Sequence, residues 1–238
     1  MRRFIVIFLA LFTLSFSLKA QEEAQAFGFE GRPLVENIWS QSAYTLNKGE
    51  FLIGIGPMGY GISDRIQFET NLLFFILQYY NLNLKLQLYN SPGVAIAAGY
   101  RFGYLNWPDA VDGDTKFMEN APYATFTFPV SAKTKLSAAG QISFYSIGDD
   151  IQEVEPYVAY ISNSGSYIHG AIDASLSNKT KLLIEAGYNF TFEGPRLGAA
   201  VNWGWEKFRL KLGLGAFNPK QAYFMVLPVV GLWWRIDA

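Results

Sequence analysis

The chain contains no cysteine and a single histidine among its 238 residues. Without thiols there is no disulfide, no thiolate nucleophile and no thiolate metal site. A lipid-modified amino-terminal cysteine of the bacterial lipoprotein kind is excluded as well. Charge is also scarce. Asp, Glu, Lys and Arg make up 16% of the residues, against roughly 25% in soluble domains. The formal net charge is −1, which gives no electrostatic reason to expect nucleic acid as a partner. Beyond residue 18 the longest unbroken apolar run is 224–234. That is too short for a helix crossing a bilayer, which takes ~20 residues.

What is present is apolar, aromatic and glycine-rich: 50% hydrophobic residues, 17% aromatic, 22 glycines and 20 phenylalanines. Residues 1–20 have the layout of a secretory signal peptide. Arg2 and Arg3 precede the apolar stretch 4–18, and Ala20 offers a small residue for cleavage. Loss of this leader removes Arg2, Arg3 and Lys19 and no acid, leaving a more acidic mature chain. Residues 21–37 are polar, glycine-containing and without period, and are expected to be a lead-in. The remainder, 38–238, is expected to form one domain.

That domain is written in a two-residue period. Over 81–89, Leu82, Leu84, Leu86 and Leu88 alternate with Asn81, Asn83, Lys85 and Gln87. A helix, with its period of 3.6, cannot separate those residues onto two faces, whereas a strand does so automatically. In the last stretch Phe224, Val226, Pro228, Val230, Leu232, Trp234 and Ile236 fall on one face, and Arg235 on the other. Twelve such segments run from 51–62 and 65–77 through 153–161 to 224–236, with a weaker thirteenth at 38–46. Closed single-chain barrels have even strand numbers. If 38–46 spans and 153–161 is a loop, the count is twelve, and the acidic stretch 106–120 becomes an outside loop. Fourteen is the alternative.

A soluble β-sandwich also alternates, but it hides its apolar face and keeps charge outside. Here the polar face is built of Gly, Asn, Gln, Ser and Thr more than of Lys and Glu. Most segments have nine residues or more, against a usual ~5–6 for globular strands. Tyr79, Tyr80, Trp107, Trp203, Trp205, Trp233 and Trp234 gather near segment ends, where interfacial girdles lie. In lipid every backbone polar group must be paired within the protein, and without a spanning helix a closed barrel is the remaining solution. The expected fold is therefore all-β: a closed antiparallel transmembrane β-barrel of about twelve strands.

The ending resembles the carboxy-terminal assembly signal of bacterial outer-membrane β-barrel proteins. That signal runs polar, any, Gly, any, any, aromatic, any, aromatic or aliphatic. Gly231, Trp234 and Ile236 fill its glycine and its last two hydrophobic positions, while Val229 stands at the polar one and Asp237 and Ala238 follow. The resemblance covers roughly 38–238. It implies a Gram-negative outer membrane, contact with outer-membrane lipids and handling by the barrel-assembly machinery.

Catalytic signals are thin. Barrel phospholipases and lipid deacylases resemble one another in a His, any, Ser pair on one strand, which aims histidine at the hydroxyl. Here the triplet is His169-Gly170-Ala171. Barrel proteases of the omptin type use Asp, any, His, and Tyr167 stands where the Asp would be. Asp173 shares the face of His169, but four residues on it lies roughly 13 Å away along a strand. A lumen or girdle histidine in a polar network is the expectation, with a His169 hydrolase as the minor alternative. The acids Asp109, Asp112, Asp114, Asp149 and Asp150 lack the EF-hand pattern and read as solvated loop residues. No metal and no cofactor is expected.

The polar face remains. Its candidate lumen residues are the cations Arg65, Lys85, Arg101, Lys181, Arg209, Lys211 and Arg235. The acids are Glu69, Glu153, Glu155, Asp173, Glu185 and Glu206. Near balance argues against a single-sign selectivity ring. Inward Gly99, Gly103, Ala97, Gly187, Gly213 and Gly215 would leave room for a passage. The expected function is passive passage of small solutes. The rival is a structural or adhesive barrel with a closed lumen.

Overall fold

The alternation becomes two physical surfaces in a computed structural model, which describes residues 33–76, 78–110, 113–147, 164–205, 207–220 and 223–236. Leu82, Leu84, Leu86 and Leu88 point outward and are each between 42% and 53% exposed. Asn83, Lys85 and Gln87, interleaved with them, are buried in the interior. An apolar exterior around a polar interior is the inverse of a soluble fold and suits hydrocarbon outside.

The wall is built from β1 (Phe51–Ile55), β2 (Pro57–Ser63), β3 (Ile66–Asn71), a one-turn helix α1 (Leu72–Ile76), β4 (Tyr79–Asn90), β5 (Ala95–Ala110), β6 (Gly113–Ser131), β7 (Thr134–Gln141), β8 (Phe144–Ile147), β9 (Tyr167–Ser177), β10 (Thr180–Asn189), β11 (Gly194–Gly204), β12 (Phe208–Phe217) and β13 (Met225–Ile236). Every pairing is antiparallel. β7 and β8 both pair with β6 in one register, Gln141 opposite Tyr123 and Phe144 opposite Asn120. They are two halves of one wall strand, so the wall has twelve. Phe51 opposite Ile236 closes it.

The count agrees with the alternation, but the strands are drawn differently. Residues 51–62 are a tight hairpin, with Ile53 opposite Met58, and not one strand. Gly56 turns it with φ of 106°, a region that costs glycine nothing. A side chain at Gly54 would lie 2.6 Å from the Leu232 carbonyl. The stretch 65–77 divides into β3 and α1. Residues 38–46 do not join the wall. The expected loop 106–120 is largely the upper part of the β5–β6 hairpin, which holds register out to Trp107 opposite Thr115. The segment 153–161 lies outside the described residues.

Both chain ends of the wall meet at one rim, where the turns 63–66, 90–95, 131–134, 177–180 and 204–208 are all short. Short turns mark the periplasmic rim of such barrels. Trp205, Phe208 and Trp234 pack there as tilted rings, with centroids 5.3 Å and 5.2 Å apart. Trp233 does not belong to this girdle. It turns inward and packs with Leu34, Val35 and Leu52.

The wall has a step in its outer half. β1 pairs only with Leu232–Ile236, so Met225–Gly231 are paired with β12 alone. The Arg235 amide donates to the Lys207 carbonyl at 2.8 Å. The β12–β13 register runs without a shift, so odd-numbered amides of β13 face β12 and even-numbered ones face the step. Pro228 is even. Its missing N–H falls where no strand would accept it.

Candidate functional site in the barrel lumen

Residues 33–50 enter the lumen from the periplasmic rim, turn, and return to the start of β1. The turn is Asn37–Ser40, closed by a 2.8 Å bond from the Asn37 amide to the Ser40 carbonyl. Above its base Glu36 bridges to Gln41, and the Ser42 amide donates to the Val35 carbonyl. This irregular loop cannot satisfy its own backbone, which buried peptide groups must do somewhere. Inward side chains of the wall supply the partners.

Glu185 on β10 does most at the tip. Its Oε2 accepts the amides of Ile38 and Trp39 at 2.8 and 2.9 Å, and its Oε1 accepts that of Ser40 at 2.9 Å. Three convergent amides are a good cradle for a carboxylate. His169 Nδ1 is 2.8 Å from Oε1, and because a carboxylate only accepts, that nitrogen carries a proton. The His169 ring stacks on Tyr167 with centroids 4.3 Å apart. The histidine therefore orients the acid that grips the inserted tip. Asp173 is engaged elsewhere, by Lys181 Nζ at 2.8 Å.

Further attachments follow the segment down. Lys85 Nζ donates to the Val35 carbonyl and to Gln41 Oε1 at 2.7 and 2.8 Å. Lys211 Nζ donates to the Asn37 carbonyl at 2.8 Å and pairs with Glu36 at 3.1 Å. Thr125 donates to the Gln41 carbonyl, and Thr127 accepts the Ala43 amide. Gln87 donates to the Ala43 carbonyl, and Gln67 accepts the Leu46 amide at 2.6 Å. Lys135 stands 4.2 Å above the Tyr44 ring. Burial, helped by nearby Asp173, raises the Tyr44 phenol to about 12, so it stays protonated. At the base Leu34, Val35 and Leu46 bury against Leu52, Leu183, Ala200 and Trp233.

Of the charged lumen candidates, Lys85, Arg101, Asp173, Lys181, Glu185, Arg209, Lys211 and Arg235 are buried on the inner face, and Glu69 is half-buried there. Arg209 donates to the carbonyls of Trp205 and Phe208, bracing the periplasmic turn. Arg65 is a correction: it is exposed in the turn before β3, because that strand begins one residue later. Glu153, Glu155 and Glu206 lie outside the described residues. At three of the inward glycines the room is already taken. A methyl on Gly99 would stand 2.2 Å from Tyr123 Cζ, one on Gly103 2.1 Å from the Tyr79 hydroxyl, and one on Gly187 1.9 Å from His169 Cδ2. Rings from neighbouring strands occupy their space. In the closing strand Trp234 and Ile236 face lipid, and Gly231 lies against Trp233 and Lys211.

Several functional side chains escaped the sequence reading. Glu50 and Glu119 are fully buried, yet one followed a turn and the other sat in a presumed loop. Glu119 accepts bonds from Ser143, Ser164 and the Gly165 amide. Arg196 is buried between the Trp39 and Phe217 rings. Extending the inward parity of each strand by a few residues would have found Glu119 and Arg196. Among the described residues no group of three or more His, Asp or Glu is placed to hold a metal ion.

No known family matches the sequence, and no curated protein matches it. Solved structures do. The KdgM porin superposes with a TM-score of 0.53 at 9% identity, over 79% of this chain and 97% of that one. The KdgM porin in complex with disordered oligogalacturonate gives 0.52 at the same identity and coverage. OmpT of Vibrio cholerae matches with a TM-score of 0.43 at 9% identity, over 76% of this chain and 64% of that one. At such identity the likeness is one of fold. This chain is a closed twelve-stranded β-barrel of the bacterial outer membrane, like the porins in fold, with a peptide segment of its own inside the lumen.

Proposed function

We propose that the barrel passes small solutes across the outer membrane, and that residues 33–50 set how far it is open. One observation carries this reading. The inserted segment is held mainly by polar lumen side chains acting on its backbone, above all Glu185 on the tip amides. Water can replace such bonds one by one, whereas an apolar core could not be hydrated without cost. Withdrawal of the segment would expose a polar, charge-balanced lining suited to weakly selective passage. The likeness to porins supports a channel.

A second reading is a structural barrel whose lumen stays closed. The apolar contacts of Leu34, Val35 and Leu46 favour it, since they fix the base of the segment. Planar-bilayer recordings separate the two. The channel reading expects discrete current steps from the full chain, larger in Glu185→Ala. Absence of steps in both proteins would leave only the closed barrel. His169 enters this function as the partner of Glu185 and not as a base, so His169→Ala is expected to change conductance and to leave lipid hydrolysis at background.

A further inference from the structure

Beside the seam the wall is cut away on one side. β1 stops at Ile55, and β2 begins at Pro57 opposite Asn71, the last residue of β3. β13 continues past them, with Met225–Gly231 paired to β12 alone. The result is a notch bordered by the edge of β13, the turn at Gly56 and α1. The helix packs on β2 and β4, and its Leu72 amide donates to the Gly56 carbonyl at 2.7 Å. At ~3.4 Å per residue and a tilt of ~40°, Val230 and Val226 stand roughly 10 and 20 Å above Trp234 of the girdle. The apolar band of such barrels is ~25 Å tall, so the notch opens into hydrocarbon.

Two features of β13 fit that position. Among the described residues, the amides of Val226 and Val230 face the notch with no strand opposite. Backbone left open at membrane depth is tolerated only where protein buries it or water reaches it. No strand lies there, so the wet lumen meets lipid at this edge. Pro228 removes a third donor, and proline on an edge also hinders the addition of another strand. The second feature is that β13 turns apolar on both faces along the notch. Its inward side chains there are Met225, Leu227 and Val229, where β4 carries Asn83, Lys85 and Gln87. Val229 and Ile38 of the inserted tip both pack on the cluster of Leu34, Val35 and Leu46. Ile38 also lines a lumen cavity of about 160 Å³, together with Trp39, Pro57 and Phe74. An apolar lane thus connects the notch to this cavity.

We propose that the notch is a lateral portal through which a single-chain amphiphile with an uncharged polar head passes between the lumen and the outer leaflet. The alkyl chain lies along Met225, Leu227 and Val229, and the head reaches the cavity. A cavity of about 150 Å³ accepts a molecule the size of benzene, which is room for a hydroxyl head and its first methylenes. The charged side chains at the cavity, Glu36, Glu69 and Arg101, are already engaged within the protein. A neutral head that exchanges hydrogen bonds with amides and hydroxyls therefore suits it better than an ion. A second copy of the chain does not fit the notch. Wall strands of two barrels standing in the same direction cross at about twice their tilt, roughly 80°, and cannot pair. The portal rests on the reading that the lumen carries solute, and adds a solute class and a sideways exit.

The test uses the full chain folded into phosphatidylcholine vesicles preloaded with hexadecanol that carries a photoreactive diazirine beside its hydroxyl. Such an alcohol stays in the bilayer and reaches the lumen from lipid. Irradiation is expected to place label on Trp39, inside the barrel, and unlabelled hexadecanol to compete it away. Leu227→Gln and Met225→Gln each set an amide in the apolar lane and should cut Trp39 labelling at least about fivefold. Heat-modifiable gel mobility reports whether each variant is folded, and if one fails the other decides. No competed label on Trp39, or unchanged labelling in the folded variants, would overturn the portal. Bilayer currents without Trp39 labelling would remove the portal and keep the channel. Competed Trp39 labelling without currents would keep the portal and remove the ion-conducting pore.

Discussion

Arg235 on the closing strand and Glu50 at the end of the inserted segment form a buried two-pronged ion pair. Nε meets Oε1 at 2.5 Å and Nη2 meets Oε2 at 2.8 Å, while Nη1 donates to the Pro33 carbonyl at 2.9 Å. One guanidinium thus holds both ends of the segment beside the seam between β1 and β13. Removing one partner of a buried pair strands the other charge at a cost of about 3–5 kcal/mol. Glu50→Gln is expected to lower barrel stability by that order in denaturant titrations. Lys in place of Arg235 should recover little, because an ammonium cannot make both prongs and reach Pro33.

Glu185→Ala should act on the segment before it acts on the wall. It leaves three amides without their acceptor, that of Ser40 buried and those of Ile38 and Trp39 partly so, at a penalty of up to about 1–3 kcal/mol each, so expulsion of the tip becomes the cheaper state. Larger current steps, with heat-modifiable mobility retained, are the expected pair of results. Glu185→Gln should fall between, because its amide oxygen still accepts from the backbone.

Gly99 and Tyr123 make a shape pair across adjacent strands. Gly99→Ala is expected to destabilise the barrel by about 1–3 kcal/mol through overpacking. Trimming the ring in a Gly99→Ala, Tyr123→Ser double variant should recover much of it. A double-mutant cycle measures that coupling directly. Additive losses would mean that the ring does not occupy the glycine's space.

Proline tolerance should alternate along β13. Pro228→Val breaks no hydrogen bond and should cost less than Val229→Pro, its only penalty being the one N–H it leaves without a strand acceptor. Val229→Pro removes an N–H that faces β12 and should cost about 1–3 kcal/mol. Unfolding midpoints of the two variants check the assignment of the unpaired edge. Equal effects would mean that the outer half of β13 has a second strand partner.

The pattern of Leu82 to Leu88 against Asn83 to Gln87 was sufficient to give the faces of β4, because strand parity is a local property. The same held for β5, β6 and β9 through β13. Parity failed where a segment was too short or too glycine-rich to carry it, as in the hairpin 51–62. It misled at 38–46, where weak alternation reflects a loop whose residues meet different walls of the lumen. Arg65 was misplaced by a single residue at a strand start, where period alone does not set the boundary.

By itself, then, the sequence determined a charge-poor two-faced chain and an apolar exterior, and with them a closed barrel in lipid. Those follow from periods of two residues and from the cost of unpaired peptide groups in hydrocarbon. Only the tertiary structure decided what fills the barrel. The Glu185 carboxylate lies 147 residues from the Ile38 amide it accepts, and Arg235 lies 185 from Glu50. Glu69, Asn83 and Arg101 become neighbours only through the register of three strands. No local pattern encodes such meetings, because each depends on closure of the whole sheet and on which residues then face one another across the lumen.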